Sequence, residues 1–477
     1  MPSGREPSPA IIVIELIKQQ INQQVWLPGE RIPSIRKMSQ LQSISPMTVM
    51  KAYEQLELDG WIYAKPKSGY FVSPHFNQLL PTPPQQPQVV NQSININRHV
   101  FEVMRAIKQP DVIPFGSAFP DPSLFPMPTL GRLLSRTVKT MPYDSGITDL
   151  APGCESLRRA ISQRYAKAGI NVSAEQVVIT SGATEALGLG LAAVTQPGDM
   201  VVIESPAFYG ALQTIERLHL KAVEIPVCPT KGLDTKALDS CLERYPIKAC
   251  WLMSNFQNPT GVSLAPKQQR AVYDLLAARN VAIIEDDVYG ELYYGTHKPP
   301  CFKAIDSEGL VIHCSSFSKS LAPGFRVGWA LAGRFTQQVT ELQFMSTLSA
   351  PVPNQHAIAS YIKEGVYDSH LRQLRRTLVK RQQQMIKAIH QLFPAGTTVT
   401  KSDGGYFVWV ALPFDLDSSE LLTLLLERYR ISIAPGTLFS SGKQYRHCIR
   451  INSSYELSAQ NYEALKALAQ LLSSHKQ

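Results

Sequence analysis

The stretch SSFSKSLAPGFRVGW, residues 315–329, places one lysine among four serines and an arginine seven positions later in an otherwise apolar segment. A buried lysine is costly to keep charged, so burial lowers the pKa of its amine and makes the amine nucleophilic. Arginine stays charged and forks well onto phosphate. Lys319 and Arg326 therefore indicate a small molecule that needs both groups close together.

The composition is that of a globular protein with more than one domain. The 477 residues, 44% of them hydrophobic, are enough for two or three domains with sizeable cores. A formal net charge of +9 favours an anionic partner. The seven scattered cysteines form no CxxC pair and no metal-ligand spacing, which predicts reduced thiols in a cytoplasmic protein without a metal site. Without a signal peptide or an apolar run of about 20 residues, the sequence predicts a soluble protein with no membrane partner.

A proline-rich segment divides the chain. Residues 73–97 contain no Asp, Glu, Lys or Arg, and five prolines lie between positions 74 and 87. Such a stretch buries little and cannot fold regularly, so we expect a linker. The sequence therefore predicts a small domain over residues 1–73, a linker over 74–109 and a large domain over 110–477.

The large domain alternates strand-like and helix-like segments. Four short runs rich in Val, Ile and Leu have the composition of buried parallel strands: EQVVIT (175–180), MVVIES (200–205), ACWLMS (249–254) and VAIIEDD (281–287). Segments with helical spacing and helix-capping signals lie between them, such as ATEALGLGLAAVT (183–195). Strand and helix in turn predict a three-layer α/β domain with helices on both faces of a sheet.

The small domain is predicted to contain three helices and a hairpin. Its third helix begins after Ser45, a good N-cap, with Pro46 in the first helical position. The apolar residues of this helix recur every three or four positions: Val49, Tyr53 and Leu56. The opposite face is polar: Thr48, Lys51 and Gln55. Such a face suits the major groove of DNA, although any amphipathic surface helix has the same pattern.

The segments PGERIPSIRKMS, SPMTVMKAYEQLELDGWI and SGYFV, within residues 10–73, resemble the winged helix-turn-helix of GntR-type bacterial regulators. The resemblance implies a double-stranded DNA operator as partner. The expected DNA-contacting residues lie on the second helix, the recognition helix and the wing: Arg36, Ser45, Thr48, Lys51, Lys67 and Gly69. Pro46 and Met50 stand where family members often carry arginine, so we expect a different operator and fewer base contacts.

Two motifs of the large domain place polar groups in turns. TSGATEAL (180–187) follows a strand and exposes backbone N–H groups at a helix start, where phosphate binds well. NPTG (258–261) puts an amide side chain in a tight turn after another strand. Both patterns are also common in plain connections between strands and helices, so neither one alone identifies a binding site.

Two further motifs carry charged groups. IIEDDVYGEL (283–292) ends a strand in carboxylates at the edge where α/β folds bind ligands. For Glu285 and Asp287 we expect only the solvated beginning of a loop. CIRINSS (448–454) holds Arg450 in a strand-like run, and the residues alone fit a surface ion pair at least as well as a carboxylate anchor.

The order of these motifs resembles that of fold type I aminotransferases: a glycine turn, NPTG, Asp-x-x-Tyr, Ser-x-x-Lys, an arginine seven residues on and a late arginine. The resemblance covers about residues 110–477. It implies the PLP-dependent transferase fold, with a three-layer αβα large domain and a smaller C-terminal α+β domain. It also implies pyridoxal 5′-phosphate as cofactor and an amino acid or amine as ligand.

The resemblance assigns a role to each motif residue. Lys319 is the expected catalytic residue and would form the internal aldimine, while Asp286 would keep the pyridine nitrogen protonated. Asn258 and Tyr289 would bond to the phenolic oxygen. The remaining cofactor-binding residues are the phosphate cup and the aromatic that stacks on the ring: Gly182, Ala183, Thr184, Ser316, Arg326 and Phe208. Arg450 would bind the α-carboxylate of the amino compound.

The sequence departs from the aminotransferase pattern at one phosphate contact. Family members usually carry a tyrosine shortly before the G…LR segment, and this tyrosine reaches the phosphate of the partner subunit. Here Thr148 occupies that place, and Tyr143 lies five residues earlier. The departure weakens or moves that contact. For the stacking aromatic, Tyr209 is the alternative to Phe208.

Joined by a linker, the two parts resemble the MocR-type subfamily of GntR transcriptional regulators. The resemblance implies a homodimer whose aminotransferase-like domain senses pyridoxal phosphate or an amino compound through Lys319, with the linker passing the change to the DNA-binding domains. The alternative is an active aminotransferase that moves an amino group between an amino acid and a 2-oxo acid and has an accessory DNA-binding module. A metabolic enzyme whose front module only serves dimerisation is a third hypothesis.

Overall fold

The computed structural model describes most of the chain outside the proline-rich segment. The described residues are 8–23, 25–27, 29–65, 68–73, 88–90, 100–101, 103–105, 109, 111–228, 232–442 and 444–474. Most of the expected linker, 74–109, lies outside them, and so does Lys67 in the wing. The predicted boundary between a small and a large domain therefore stays a prediction.

The small domain folds as the sequence predicts. Its elements are α1 (Pro9–Asn22), α2 (Ile35–Gln42), α3 (Pro46–Leu58), β1 (Ile62–Lys65) and β2 (Gly69–Val72). The Ser45 Oγ accepts a hydrogen bond from the Thr48 N–H at 3.1 Å, which caps α3 as expected. The predicted apolar face is buried, with Val49, Tyr53 and Leu56 each 0% exposed. The hairpin of β1 and β2 is antiparallel.

The large domain is built on a sheet that contains nine described strands. They are β3 (Gln88–Val90), β4 (Val177–Thr180), β5 (Met200–Ser205), β6 (Lys221–Cys228), β7 (Gly232–Leu233), β8 (Ile247–Leu252), β9 (Ala282–Asp286), β10 (Val311–Ser316) and β11 (Gly328–Leu331). The strand order is β3-β6-β5-β8-β9-β10-β11-β4, and β7 pairs with β6. The strand β3 lies inside the expected linker, so the expectation that this segment cannot fold regularly is wrong for residues 88–90. The central strands β6, β5, β8, β9 and β10 are parallel, as the sequence predicts for β5, β8 and β9.

The strand β4 corrects one expectation about this sheet. It is buried, but it pairs with β11 in antiparallel fashion, and β11 is antiparallel to β10 as well. A run such as EQVVIT is buried on both faces in either arrangement, so its composition does not reveal the direction of its neighbour.

Helices cover both faces of the sheet and give the expected three layers. These helices are α4 (Met127–Thr140), α5 (Ser145–Thr148), α6 (Glu155–Lys167), α7 (Ala183–Val194), α8 (Tyr209–Arg217), α9 (Thr235–Arg244), α10 (Pro266–Ala277), α11 (Thr336–Thr347) and α12 (Val352–Lys363). Neighbouring strand residues enter different apolar cores: Ile284 lies in the core that α7 helps to form, and Ile283 lies in the core of α9 and α10. Alternation of this kind means that both faces are buried.

The C-terminal part is a smaller α+β unit, in agreement with the predicted fold class. The long helix α13 (Val366–Leu392) leads into it, and α14 (Ser418–Tyr429) and α15 (Ala459–Ser474) follow. Its sheet has the order β12-β13-β15-β14, formed by β12 (Thr398–Val399), β13 (Phe407–Ala411), β14 (Ala434–Pro435) and β15 (Cys448–Asn452).

Two further expectations concern the chain as a whole. All seven cysteines lie among the described residues and are free thiols, as their spacing predicts. In the part of the chain that is described, no helix has both the length and the apolar composition that crossing a lipid bilayer requires.

Candidate functional site

A cavity of about 520 Å³ brings most of the predicted site residues together. Its lining includes nine of them: Ala183, Thr184, Phe208, Asn258, Asp286, Tyr289, Ser316, Lys319 and Arg326. They come from the ends of β9 and β10, the start of α7 and the turn after β8, which is the carboxyl edge of the parallel strands. Gly182 and Arg450 are not lining residues but contact residues that are.

Lys319 lies in the turn after β10, and its amine faces the cavity. The Nζ donates to the Ala118 carbonyl oxygen at 2.8 Å and lies 4.5 Å from the centroid of the Phe119 ring. Burial lowers the pKa of the amine to about 7, and the positive charges of Arg450 and Arg326 act in the same direction. An amine with such a pKa is partly deprotonated near neutral pH and is then a nucleophile.

Asp286 ends β9 on the cavity side and is 1% exposed. Burial raises the pKa of its carboxyl to about 7, and the charge of Asp287 adds to the increase. The Val288 N–H and the charge of Lys319 act in the opposite direction but do not outweigh it. A cationic ligand group in the cavity would therefore stabilise the carboxylate form.

Glu285 and Asp287 correct another expectation, because neither is solvated. They are 0% and 2% exposed and, unlike Asp286, do not line the cavity. The Glu285 carboxylate accepts from the Ser254 Oγ at 2.6 Å and pairs with the His313 Nδ1 at 2.7 Å. Burial opposes the charge on His313, but Glu285 outweighs it and raises the pKa of the imidazole to about 10. Buried partners, His313 on β10 and Ser254 after β8, thus surround Glu285 in place of the solvent that the sequence predicts.

The phosphate cup is formed by the start of α7 and by Arg326. Gly182 is the N-cap residue with a φ of 97°, and Ala183 and Thr184 begin the helix, so their N–H groups point away from it. The Arg326 Nη2 donates to the Ser181 carbonyl oxygen at 2.9 Å. A Cβ on Gly182 would come within 2.5 Å of the Arg326 Nη2. Only glycine therefore permits this approach of helix and guanidinium.

Arg450 lies on β15 behind the cavity wall and is 0% exposed, so the interpretation as a surface ion pair is wrong. Its Nη1 donates to the Asn258 Oδ1 and its Nη2 donates to the Gly116 carbonyl oxygen, both at 2.9 Å. Its Nε has no hydrogen-bond partner among the described residues. The Asn258 Nδ2 in turn donates to the Tyr289 hydroxyl at 3.4 Å.

Phe208 and Tyr209 both line the cavity, so the choice between them as the stacking aromatic stays a prediction. Phe208 is half-buried and precedes α8, and its ring centroid lies 4.7 Å from that of Tyr209. Farther away, Tyr143 and Thr148 are exposed to solvent in this single chain. A residue that contacts a second subunit would also be exposed when that subunit is absent.

The segment 116–119 belongs to the site but was not found from the sequence. Ala118 and Phe119 line the cavity and contact the Lys319 amine. The Asn452 Nδ2 fixes this segment by donating to the Phe119 carbonyl oxygen at 2.7 Å. The segment acts through the Ala118 carbonyl oxygen and the Phe119 ring and lies outside every motif, so no motif indicated it. A Cβ on Gly116 would lie 2.5 Å from the backbone of Ile433. The glycine that permits this approach is the one sign of the segment's role that the sequence contains.

The candidate DNA interface is formed by α2, α3 and the hairpin. Arg36, Ser45 and Lys51 are exposed and Thr48 is half-buried, so the described polar face of α3 is accessible. Gly69 has a φ of 100°, and a Cβ there would lie 3.3 Å from the Arg31 guanidinium. Arg31, which the sequence analysis did not single out, thus adds a cation beside the wing.

We expect Lys51→Ala to weaken binding to operator DNA about 5- to 150-fold, the 1–3 kcal/mol of a good base contact. The lysine projects from the exposed face of α3, so its loss removes a contact without disturbing the core. Electrophoretic mobility shift at fixed salt measures the affinity, and Lys139→Ala on α4 controls for the change in net charge. Equal affinities of the two variants would contradict the choice of recognition face.

The small domain also contacts the large one, where α3 packs against α13. Asp59, the C-cap residue of α3, pairs with the Lys401 Nζ at 2.5 Å and with the Lys18 Nζ at 3.3 Å. Glu57 lies 3.9 Å from the Lys387 Nζ of α13. The end of the recognition helix is therefore held against the large domain by ion pairs.

Comparison with known proteins matches both parts of the chain. The aminotransferase class I and II family matches residues 148–468, and the gntR family of bacterial regulatory proteins matches residues 12–72. The uncharacterized HTH-type transcriptional regulator YdcR of Escherichia coli is 45% identical over 458 residues, which cover 96% of this chain and 97% of that protein. The regulator YjiR of the same organism is 35% identical over 461 residues, covering 95% and 97%.

The fold of the large domain matches solved aminotransferases. A crystal structure of Pyrococcus horikoshii kynurenine aminotransferase, in complex with PMP, superimposes with a TM-score of 0.73 at 27% sequence identity. The match covers 80% of this chain and 95% of that one. The domain therefore has the fold of a class of enzymes that use a pyridoxal phosphate cofactor.

Proposed function

Because the chain belongs to the family of HTH-type transcriptional regulators in which a GntR domain precedes an aminotransferase class I and II domain, we propose that its large domain senses an amino compound and thereby controls operator binding by its small domain. One observation carries the proposal. The Lys319 amine and the Asp286 carboxyl line the same cavity and interact electrostatically there, beside a phosphate cup. In this proposal the regulator binds its DNA in the cytoplasm and acts as a homodimer.

Pyridoxal phosphate is the cofactor of this fold, and the residues of the cavity fit it. The glycine cradle at Gly182, with Arg326 against it, has the charge and the N–H donors that a phosphate needs. The buried carboxyl of Asp286 matches a cationic ring nitrogen, and the Lys319 amine matches an aldehyde. When bound, the cofactor supplies an aldehyde that condenses with amines and a ring that withdraws electrons.

The side chains around the cofactor have separable duties. Arg326 and the first N–H groups of α7 would hold the phosphate, and the buried carboxyl of Asp286 would pair with the ring nitrogen. Lys319 exchanges protons near neutral pH because burial lowers the pKa of its amine to about 7. The Ala118 carbonyl oxygen accepts a hydrogen bond from this amine at 2.8 Å and so holds the lysine when it is not engaged.

Arg450 supports an amino acid rather than a simple amine as the compound sensed. A guanidinium that is 0% exposed, with an Nε that has no partner among the described residues, is suited to a carboxylate ligand. Its Nη1 is engaged by the Asn258 Oδ1. A carboxylate that binds Arg450 therefore competes with Asn258 and alters the turn that Asn258 begins.

This turn leads to the small domain through direct contacts. The Ser402 Oγ donates at 2.7 Å to the carbonyl oxygen of Gly261, the last residue of the turn. Ser402 is preceded by Lys401, which pairs with Asp59 at the end of the recognition helix. We therefore assign the coupling to this contact, in addition to the linker, because a ligand that moves the turn and an operator that holds α3 would both act on it.

The test combines spectroscopy with DNA binding. The absorbance spectrum of the pyridoxal phosphate-loaded protein is titrated with a panel of common amino acids, and affinity for the promoter DNA of its own gene is measured under the same conditions. We expect an amino acid that changes the spectrum to change DNA affinity about 5- to 150-fold. Conversion to the pyridoxamine form and recovery with a 2-oxo acid, without any effect on DNA binding, would instead support the enzyme.

Lys401→Ala is the variant that separates sensing from its transmission. The lysine lies outside the cavity lining, so the spectral response to the amino acid should persist. Because the lysine pairs with Asp59, the logarithm of the fold-change in DNA affinity should fall to less than half its wild-type value. Lys363→Ala, an exposed lysine of α12, is the matched control. An undiminished response in Lys401→Ala leaves the linker as the only route.

A further inference from the structure

A second group of reactive side chains lies outside the cavity. Cys154 is the N-cap residue of α6, His356 lies in the first turns of α12, and Asp149 follows α5. A ligand atom from each side chain lies within 4.8 Å of the others. None of the three lines the cofactor cavity. The proposed sensing function does not use them.

The imidazole of His356 lies between the carboxylate and the thiol. Its Nε2 is 2.7 Å from the Asp149 Oδ2, and its Nδ1 is 3.8 Å from the Cys154 Sγ. The Ser156 hydroxyl is also 3.1 Å from the Sγ. Since the two outer groups approach opposite nitrogens of the ring, the arrangement suits proton relay between them, whereas one metal ion would need a single nitrogen facing both.

The electrostatics of this group favour a thiolate. Burial opposes the charge on Cys154, but hydrogen bonds from His356, Ser156 and the Leu157 N–H outweigh it and hold the pKa of the thiol below its usual value. The bond to Cys154, together with Asp149, raises the pKa of His356 to about 9. Among the described residues, His356 is the titratable group that faces the thiol, Asp149 faces the imidazole from the other side, and the start of α6 adds its positive end.

The other buried cysteines differ from Cys154 in this respect. Burial raises the pKa of Cys241 to about 11, and it also raises the pKa of Cys250, Cys314 and Cys448. No acid–imidazole pair accompanies Cys241 among the described residues. Cys241 can therefore serve as the control for the reactivity of an ordinary buried thiol in the same chain.

We propose that Cys154 is a modification site for hydroperoxides, with His356 as proton donor and Asp149 as the residue that orients the ring. The Cys154 thiolate attacks the distal oxygen of the hydroperoxide, so an S–O bond forms as the O–O bond breaks. The sulfur loses two electrons and becomes a sulfenic acid that keeps the proton of the transferred oxygen, and the released alkoxide or hydroxide takes the His356 proton and leaves as alcohol or water. The Cys154 residue is 2% exposed and the His356 side chain 22% exposed, so the reagent enters by local opening beside the imidazole.

The group is connected to both sides of the phosphate cup. The Pro152 carbonyl oxygen accepts from the Ile179 N–H of β4 at 2.8 Å, and β4 leads directly to Gly182. On the other side the Asn354 Nδ2 donates at 2.9 Å to the carbonyl oxygen of Phe325, the neighbour of Arg326. An oxygen atom added to the buried sulfur therefore presses on the segments that hold the cup, and we expect weaker retention of the cofactor.

The first test measures thiol reactivity in the full-length, pyridoxal phosphate-loaded protein. Iodoacetamide is applied over a range of pH, and labelled peptides are quantified by mass spectrometry. We expect Cys154 to react at least about tenfold faster than Cys241 near neutral pH, and His356→Ala to lower its rate about tenfold, the effect of one pKa unit. With hydrogen peroxide and a sulfenate trap, Cys154 should be the labelled site. Labelling of Cys154 no faster than of Cys241, or unaffected by the His356 change, overturns the proposal.

A second measurement does not depend on reagent access. The ultraviolet absorbance of thiolate is followed against pH in the wild type and in Cys154→Ser, and the difference reports the ionisation of this one thiol. A midpoint clearly below about 8.5, the value of a free cysteine, is expected, and a midpoint at or above it refutes the activated thiol. His356→Gln, which keeps most of the side-chain volume, should raise the midpoint, and its thermal unfolding shows whether the fold is retained.

Discussion

Lys319→Ala abolishes covalent attachment of pyridoxal phosphate and leaves the protein folded. Lys319 is the only lysine among the described residues that line the cavity, so no neighbouring amine can replace it. The substitution also removes a group whose pKa burial lowers to about 7, so little charge stabilisation is lost. Borohydride reduction followed by peptide mapping should find the pyridoxyl label in the 315–329 region of the wild type and nowhere in the variant.

Two controls make this result interpretable. Lys267→Ala removes an exposed lysine at the start of α10 and should retain the full label. Lys319→Met keeps the length of the side chain and fills the same space, so its loss of label cannot come from a collapsed cavity. A label that persists in Lys319→Met, or that maps to another lysine of the wild type, would remove the basis of the proposed sensing site.

The sequence predicted those parts of the site that rest on local chemistry. The lysine and arginine of the opening stretch, the glycine turn and the amide turn reach one cavity because their loops lie at the same edge of one mixed sheet, where β4, β8 and β10 end. Their spacing is set by strand and helix lengths, which local patterns reveal. The capping of α3 by Ser45 was predictable for the same reason, since an N-cap acts within one turn.

What the sequence did not reveal depends on contacts between distant residues. Glu285 is buried because His313 and Ser254 reach it from other segments, and nothing near Glu285 in the chain announces them. Likewise, Cys154 and His356 are separated by 202 residues and meet only in the fold. The same holds for the pairing of Asp59 with Lys401. The local sequence around a charged residue at a strand end is the same whether water or a buried partner faces that residue in the fold.

Gly182→Ala is expected to weaken the binding of pyridoxal phosphate about 10- to 100-fold. A Cβ at this position would lie 2.5 Å from the Arg326 Nη2, and the φ of 97° is unfavourable for alanine. The guanidinium must therefore move away from the helix start, which removes a charge-assisted contact to phosphate of about 1.5–3 kcal/mol. Equilibrium titration of the apoprotein, followed by cofactor absorbance, measures the change.

Gly324→Ala is the matched control, because Gly324 lines the same cavity but a Cβ there meets no atom within 4 Å. This variant should bind the cofactor within about twofold of the wild type, since an added methyl group in open space displaces nothing. The contrast isolates the approach of Arg326 to the start of α7 from any general effect of replacing glycine. If Gly182→Ala binds as tightly as Gly324→Ala, the phosphate does not lie between that helix and Arg326, and the orientation assigned to the cofactor must be reversed.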